Sequence, residues 1–72
     1  MNKRENGTVK WYDPVKGYGF IGRDNNNEDI FVHFRNLEII NNLRVELQPD
    51  QRVSFIVENG KKGLHAIDVK VI

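Results

Sequence analysis

The sequence predicts an all-β fold in the form of a small closed barrel of five antiparallel strands. Apolar and polar residues alternate in five short segments, and turn-forming residues separate those segments. The chain has 72 residues and no cysteine, so its stability depends on one hydrophobic core. Because a flat sheet of this size would leave two edges unpaired, closure into a barrel is favoured. We expect one domain that spans residues 1–72.

Each strand follows from its own pattern. We expect the strands at residues 7–13, 17–23, 29–34, 51–58 and 64–71. The first strand ends at Asp13-Pro14, since proline has no N–H to donate to a ladder. An asparagine-rich turn at residues 24–29 joins the second and third strands, and Asn59-Gly60 begins the turn between the fourth and fifth.

The connection at residues 35–50 allows two interpretations. Leu37, Ile40, Leu43 and Leu47 fit a short helical turn, whereas an extended segment would place Leu43, Val45 and Leu47 on one side. Both remain open from the sequence.

Alternation assigns an inner and an outer face to each strand. The inner face is aliphatic apart from one phenylalanine and is expected to form the core: Val9, Ile21, Ile30, Val32, Val53, Phe55, Val57, Ile67, Val69 and Val71. The outer face carries aromatic and basic side chains: Lys10, Lys16, Tyr18, Phe20, Phe31 and His33. In the alternative arrangement the rings form the core, but so small a barrel cannot hold them together with the aliphatic residues.

Six of the seven aromatic residues fall between Trp11 and Phe34. An exposed aromatic patch invites aggregation unless it binds something. Rings two residues apart on a strand, flanked by lysines, offer stacking surfaces for successive bases and cations for the phosphates between them. Stacking is worth about 1–3 kcal/mol per base, so a net charge of only +1 does not oppose a nucleic-acid partner. Single strands fit best, because a duplex buries the faces of its bases.

Several other functions are disfavoured. No apolar run suggests a signal peptide or a membrane span, so we expect a cytoplasmic protein that does not bind membranes. With no cysteine and only two histidines, His33 and His65, we expect no metal site, no cofactor, no small-molecule substrate and no enzymatic activity. Gly17, Gly19 and Gly22 match the spacing of a dinucleotide-binding fingerprint, but the helix that this motif requires does not follow.

Two linked motifs carry a family resemblance. Residues 16–21 are Lys-Gly-Tyr-Gly-Phe-Ile and residues 30–34 are Ile-Phe-Val-His-Phe, with Lys10-Trp11-Tyr12 ahead of them. Their order and spacing resemble the two ribonucleoprotein motifs of the bacterial cold shock domain, and the resemblance covers essentially the whole chain. It implies an OB-fold barrel that binds single-stranded RNA and DNA with little sequence preference. It also implies an RNA chaperone and, as in some members, a transcription antiterminator or regulator. The alternative function is that of a small β-barrel adaptor that binds a protein through the same aromatic patch.

The resemblance also implies a set of binding residues. Carried over position by position, this set is Lys10, Trp11, Lys16, Tyr18, Phe20, Phe31, His33 and Phe34, with Asp29 and Lys62 as polar contributors. It places Phe34 on the binding face, where alternation alone would bury it, and it exposes Trp11, which indicates a bulge in the first strand. The glycines are expected to leave Tyr18 and Phe20 open to a base. We expect a monomer, with a dimer that swaps the 35–50 loop as the alternative.

Three positions depart from the family's pattern. Asp13 replaces an asparagine, so a carboxylate that repels phosphate stands where an amide could contact a base. The 35–50 connection lacks the family's Gly-aromatic pair, so one stacking platform is missing, and Arg44 is the residue that could partly replace it. His65 lies in Gly-Leu-His-Ala, where the family has Gly-Pro-Gln-Ala; it either contacts a base or is simply solvated.

Overall fold

The structure is a computed structural model that describes residues 4–25, 28–60 and 63–72. Its strands are β1 (Arg4–Asp13), β2 (Tyr18–Arg23), β3 (Asp29–His33), β4 (Ile39–Ile40), β5 (Leu43–Arg44), β6 (Arg52–Gly60) and β7 (Gly63–Val71). A 3-10 helical turn, Phe34–Asn36, follows β3. Within the described residues, no helix has the length and apolar character needed to cross a bilayer.

Five of these strands form a closed barrel in the order β1, β2, β3, β7 and β6, with β1 paired to both β2 and β6. The predicted all-β barrel is confirmed. One pairing differs from the prediction, because β3 and β7 run parallel, with Phe31 beside His65 and Val32 beside Ala66. The other barrel pairings among the described residues are antiparallel. An odd number of strands in a closed ring cannot alternate in direction throughout, so one parallel pair is required.

The core is aliphatic apart from Phe55. It comprises Val9, Ile21, Ile30, Val32, Leu37, Leu47, Val53, Phe55, Ala66 and Val69. Most of the predicted core is therefore confirmed, whereas Val57 is only partly buried and packs against it. The prediction that Ile67 and Val71 are core residues is wrong, since Ile67 is partly exposed and Val71 lies exposed at the end of β7.

A bulge in β7 accounts for Ile67. Two residues of β7, Asp68 and Val69, lie opposite Phe55 alone, and Asp68 adopts a left-handed conformation with φ of 50°. The extra residue reverses the alternation of side chains along the strand. Ala66 and Val69 consequently face the core, and Ile67 turns away from it.

A second bulge, in β1, confirms the one that the resemblance indicated. Val9 pairs with Ile21 and Trp11 pairs with Phe20, so Lys10 is the extra residue on β1. The bulge keeps Val9 in the core and turns Trp11 to the outer face beside Phe20.

The connection between β3 and β6 contains elements of both interpretations. The 3-10 turn provides the helical part, and β4 pairs with β5 as a short hairpin. Asn41 and Asn42 form the hairpin turn with φ of 53° and 67°, the left-handed values that a tight two-residue turn of this kind requires. Leu47 is buried whereas Leu43 is 73% exposed, so the extended segment does not place them on one side.

Candidate nucleic-acid interface

Four aromatic rings from β1, β2 and β3 form one cluster on the outside of the barrel. This cluster, here called the aromatic platform, consists of Trp11, Tyr18, Phe20 and Phe31. Ring centroids lie 5.7 Å apart for Trp11 and Tyr18, 5.5 Å for Trp11 and Phe20, 5.7 Å for Tyr18 and Phe31, and 5.8 Å for Phe20 and Phe31. Trp11 is 42% exposed, and the other three rings are partly exposed. The platform is thus a continuous aromatic surface that solvent can reach.

Strand register explains why these rings meet. Phe20 lies opposite Phe31, and Tyr18 lies opposite His33, in the antiparallel pairing of β2 with β3. Because side chains alternate along a strand, these four side chains of β2 and β3 point to the face opposite the core. The bulge in β1 adds Trp11 to the same face. The predicted face assignment of β2 and β3 therefore agrees with the structure.

The glycines beside the platform act differently from the expectation that they leave Tyr18 and Phe20 open. A Cβ on Gly19 would lie 2.3 Å from the carbonyl oxygen of Trp11, so the missing side chain allows β1 and β2 to approach closely. Gly17 has φ of 78°, and a Cβ there would lie 2.8 Å from the ring of Phe34. Gly17 therefore makes room for Phe34 rather than for the platform rings.

Phe34 lies outside the platform, in a separate group with His33 and Arg44. Its ring is 39% exposed, and its centroid is 4.7 Å from that of His33. The guanidinium carbon of Arg44 lies 5.4 Å from the same ring centroid. His33 Nδ1 accepts a hydrogen bond from the backbone N–H of Arg35 at 3.3 Å, which caps the 3-10 turn. Phe34 is thus exposed, as the resemblance implied.

A groove of about 320 Å³ opens beside this group, between the β1–β2 turn and β5. The Phe34 groove, as it is called here, is lined by residues that include Tyr12, Pro14, Lys16, Phe34, Arg44 and Glu46. Burial raises the pKa of Tyr12, and the negative charge of Glu46 raises it further, whereas Arg44 lowers it. Sequence reasoning did not find this groove, because its walls come from segments about thirty residues apart.

Similarity to known proteins agrees with this geometry. A family model described as the 'Cold-shock' DNA-binding domain matches residues 5–72. The chain belongs to the cold shock domain family. The major cold shock protein CspA of Pseudomonas aeruginosa is 49% identical over 72 residues, and the match covers the whole of both chains. The cold shock-like protein CspA of Vibrio cholerae is 44% identical with the same coverage.

A solved structure supports the same assignment. It is described as Drosophila Unr CSD456, and it matches with a TM-score of 0.79 and 27% sequence identity. The match covers 97% of this chain and 27% of that longer chain. The OB-fold that the resemblance implied is therefore confirmed, and nucleic-acid binding is the activity that cold shock domains share.

The structure describes most of the polar residues that were predicted for the site. Lys10 Nζ is 3.8 Å from Asp29 Oδ1, and both side chains are more than half exposed. Lys16 is exposed on the β1–β2 turn. His65 is the register partner of Phe31 in the parallel pairing of β3 with β7. Lys62 lies outside the described residues.

His65 has a protein partner in this structure. Its Nε2 lies 3.1 Å from Glu58 Oε1, and the side chain is 25% exposed. A Cβ on Gly60 would lie 2.6 Å from the His65 ring, so the ring packs against that glycine. His65 is thus more than a solvated side chain, and its contact with a base stays a prediction.

Asp13 has a structural role that the sequence did not reveal. Its Oδ1 accepts hydrogen bonds from the backbone N–H groups of Val15 at 2.9 Å and Lys16 at 3.1 Å. Its carbonyl oxygen accepts from the N–H of Gly17 at 2.7 Å. Asp13 therefore holds the β1–β2 turn that carries Lys16. Within the described residues, no group of three or more acidic, histidine or cysteine side chains is arranged to hold a metal ion.

Proposed function

We propose that this protein binds single-stranded RNA and DNA by stacking bases on the aromatic platform, and that it acts as an RNA chaperone. The same capture of unpaired strands would also make it a transcription antiterminator or regulator, since terminators contain hairpins. Relatives named for cold shock support a role in the response to cold stress. Membership of the nucleic-acid-binding family supports the partner class, and the platform supports the mode of binding.

The observation that carries the proposal is the platform itself. Four rings on neighbouring strands, in mutual contact and open to solvent, are more than a soluble surface of this size ordinarily exposes. A base gains about 1–3 kcal/mol by stacking on an aromatic side chain. Lys10 and Lys16, both exposed, supply positive charge near the phosphates of a bound strand.

Chaperone activity follows from mass action and requires no ATP. Because the platform contacts base faces, it binds the open form of a hairpin and leaves the paired form unbound. Binding that favours one of two states shifts the equilibrium toward that state. The protein would thus open weak hairpins in proportion to its free concentration.

The proposal is tested by adding oligothymidine to the protein and measuring the fluorescence of Trp11, the only tryptophan. We expect quenching that saturates at micromolar concentration or below. Lack of quenching, together with unchanged anisotropy of a labelled strand, would favour the adaptor that binds a protein. The lysine of β7 provides a matched control, since Lys70→Met alters an exposed cation on another strand and is expected to leave binding unchanged.

Affinity for a hairpin, for its open strand and for its duplex tests the stacking mode. We expect the open strand to bind best and the duplex to bind least. A preference for the duplex would contradict stacking, because paired bases expose no faces. A labelled hairpin whose fluorescence rises on opening would then measure chaperone activity directly, without ATP.

A further inference from the structure

The Phe34 groove continues the path of the aromatic platform. His33 contacts the ring of Phe34 and pairs across strands with Tyr18, which belongs to the platform. A nucleic-acid strand that passes Tyr18 therefore meets the groove next. Its volume of about 320 Å³ is at the lower end of the range for small-molecule sites, roughly 300–1,000 Å³. The groove is thus sized for one nucleotide.

Two cations from different walls line the groove. Lys16 belongs to the β1–β2 turn, and Arg44 belongs to β5. Arg44 Nη1 donates to the carbonyl oxygens of Phe34 at 3.3 Å and Arg35 at 3.0 Å, which holds the guanidinium over the Phe34 ring. A guanidinium has five N–H donors, and in the described residues Nη1 alone is engaged in this way. Arg44 is therefore positioned before a ligand binds.

An acid on the same wall as Arg44 gives the groove a second kind of contact. Glu46 and Arg44 both act electrostatically on the phenol of Tyr12, which lines the groove. Glu46 Oε2 accepts one hydrogen bond from Gln48 Nε2 at 3.3 Å. An ionised carboxylate has about four lone-pair positions, so it has capacity for further donors.

We propose that the Phe34 groove binds one nucleotide of the strand held by the platform, and that it selects a base with hydrogen-bond donors on its pairing edge, guanine first. This inference rests on the function proposed above. Arg44 and Lys16 contact the phosphate, because guanidinium and ammonium groups form charge-assisted hydrogen bonds with its oxygens. Phe34 packs against the base, and Glu46 accepts hydrogen bonds from its edge.

The chemistry of the bases sets the order of preference. Guanine carries N1–H and N2–H donors side by side, so one carboxylate accepts from both. Uracil and thymine carry one N–H between two carbonyl oxygens, which the charge of Glu46 repels. Charge complementarity therefore favours a nucleotide, with its negative phosphate beside the cations and its donor edge beside the acid.

Hexathymidine extended by one nucleotide tests the selection. The added nucleotide is thymidine or guanosine, placed at the 5′ end or at the 3′ end, and the anisotropy of the labelled strand gives the affinity. We expect guanosine to bind about tenfold more tightly than thymidine at the end that reaches the groove, and to give no gain at the other end. Equal affinity for guanosine and thymidine at both ends would overturn the proposal.

Substitutions in the groove assign the preference to its residues. We expect Glu46→Gln to reduce the preference for guanosine over thymidine to about twofold or less, because the neutral amide accepts fewer hydrogen bonds from guanine and no longer repels the carbonyl oxygens of thymine. We expect Arg44→Met to weaken binding of the extended strands about tenfold and to make the salt dependence shallower by about 0.7, which Arg44→Lys restores. Lys70→Met is the control cation, and thermal unfolding by circular dichroism verifies that each variant folds.

These experiments distinguish a failure of the proposed function from a failure of the groove assignment. If hexathymidine itself does not bind, the proposed function fails. If hexathymidine binds but Glu46→Gln leaves a guanosine preference intact, another part of the protein selects the base and the groove assignment is wrong. A groove that binds a protein segment instead would show neither a guanosine preference nor an effect of Arg44→Met on strand affinity.

Discussion

The two faces of β2 and β3 separate stability from binding within the same few residues. Ile21, Ile30 and Val32 are at most 2% exposed, whereas Phe20 and Phe31 beside them are partly exposed. Residue type does not decide this difference, since Phe55 on β6 is fully buried. Position in the alternation of the strand decides it. Neighbouring substitutions should therefore have opposite effects on stability and on binding.

The largest expected effect is on the inner face. Ile30→Ala removes a buried side chain from the core, and such changes cost about 2–5 kcal/mol of unfolding free energy. Phe31→Ala, one residue away, should cost only about 1 kcal/mol, because the ring loses contacts with Tyr18 and Phe20 but leaves no core cavity. Urea unfolding followed by circular dichroism measures both. If Phe31→Ala were the more destabilising of the two, the inner and outer faces would have to be exchanged.

The glycines on the two faces of β2 should also differ in their effect on stability. A Cβ on Gly19 would meet backbone atoms, at 2.3 Å from the Trp11 oxygen and 2.7 Å from Tyr12 Cα, so Gly19→Ala should destabilise the fold by about 1–3 kcal/mol. On the outer face, a Cβ on Gly22 would meet the flexible end of Lys10, at 2.8 Å from Cε. Gly22→Ala is thus the matched control and should cost much less. Equal losses in urea unfolding would mean that the close approach of β1 and β2 is not what requires glycine.

The sequence predicts those features of the fold that depend on neighbouring residues of one strand, and it misses those that depend on tertiary structure. Alternation places Val9, Ile21 and Ile30 correctly, because in these strands the period of two is a property of the backbone itself. It fails at Ile67, since the bulge at Asp68 shifts the phase and aspartate carries no distinctive signal for one. Leu37, Leu47 and Ala66 join the core for reasons that only the closed barrel reveals.

The candidate site divides in the same way. The motifs predict that Tyr18, Phe20 and Phe31 share a face, because two-residue spacing and strand pairing suffice for that. The Phe34 groove escapes prediction, since it forms where the β1–β2 turn meets β5 across a long stretch of sequence. The sequence predicts that Arg44 could partly replace the missing stacking residue, but its position over Phe34 and its hydrogen bonds to the 3-10 turn depend on tertiary structure.

On the outer face, Phe31→Ala should weaken strand binding by about 1–3 kcal/mol, the contribution of one stacked base. Phe31→Leu is the matched control for apolar volume, since it keeps a hydrophobic side chain and removes the flat ring. We expect both variants to lose comparable affinity for oligothymidine, measured by anisotropy of the labelled strand. If the leucine variant retained the original affinity, apolar contact rather than stacking would account for binding, and the platform would suit a protein partner equally well.

The smallest expected effect lies on neither face, in an exposed ion pair that joins the end of β2 to the start of β6. Arg52 Nη1 and Nη2 donate to the two Asp24 carboxylate oxygens at 2.9 Å and 2.6 Å, and Nη1 also donates to Thr8 at 2.9 Å. These hydrogen bonds hold the pKa of Asp24 below its ordinary value. A carboxylate whose pKa is lower in the folded state stabilises the fold above its unfolded pKa, about 3.9.

That stabilisation is lost as the pH falls through the folded pKa of Asp24. The urea midpoint of the unchanged chain should therefore fall more steeply below about pH 4 than that of Asp24→Asn, which has no carboxylate to protonate. Asp50→Asn removes another exposed carboxylate, at a left-handed position that asparagine also tolerates, and is the matched control. If Asp24→Asn followed the unchanged chain at every pH, solvent would screen the pair completely. The ion pair would then make no measurable contribution to the stability of the barrel.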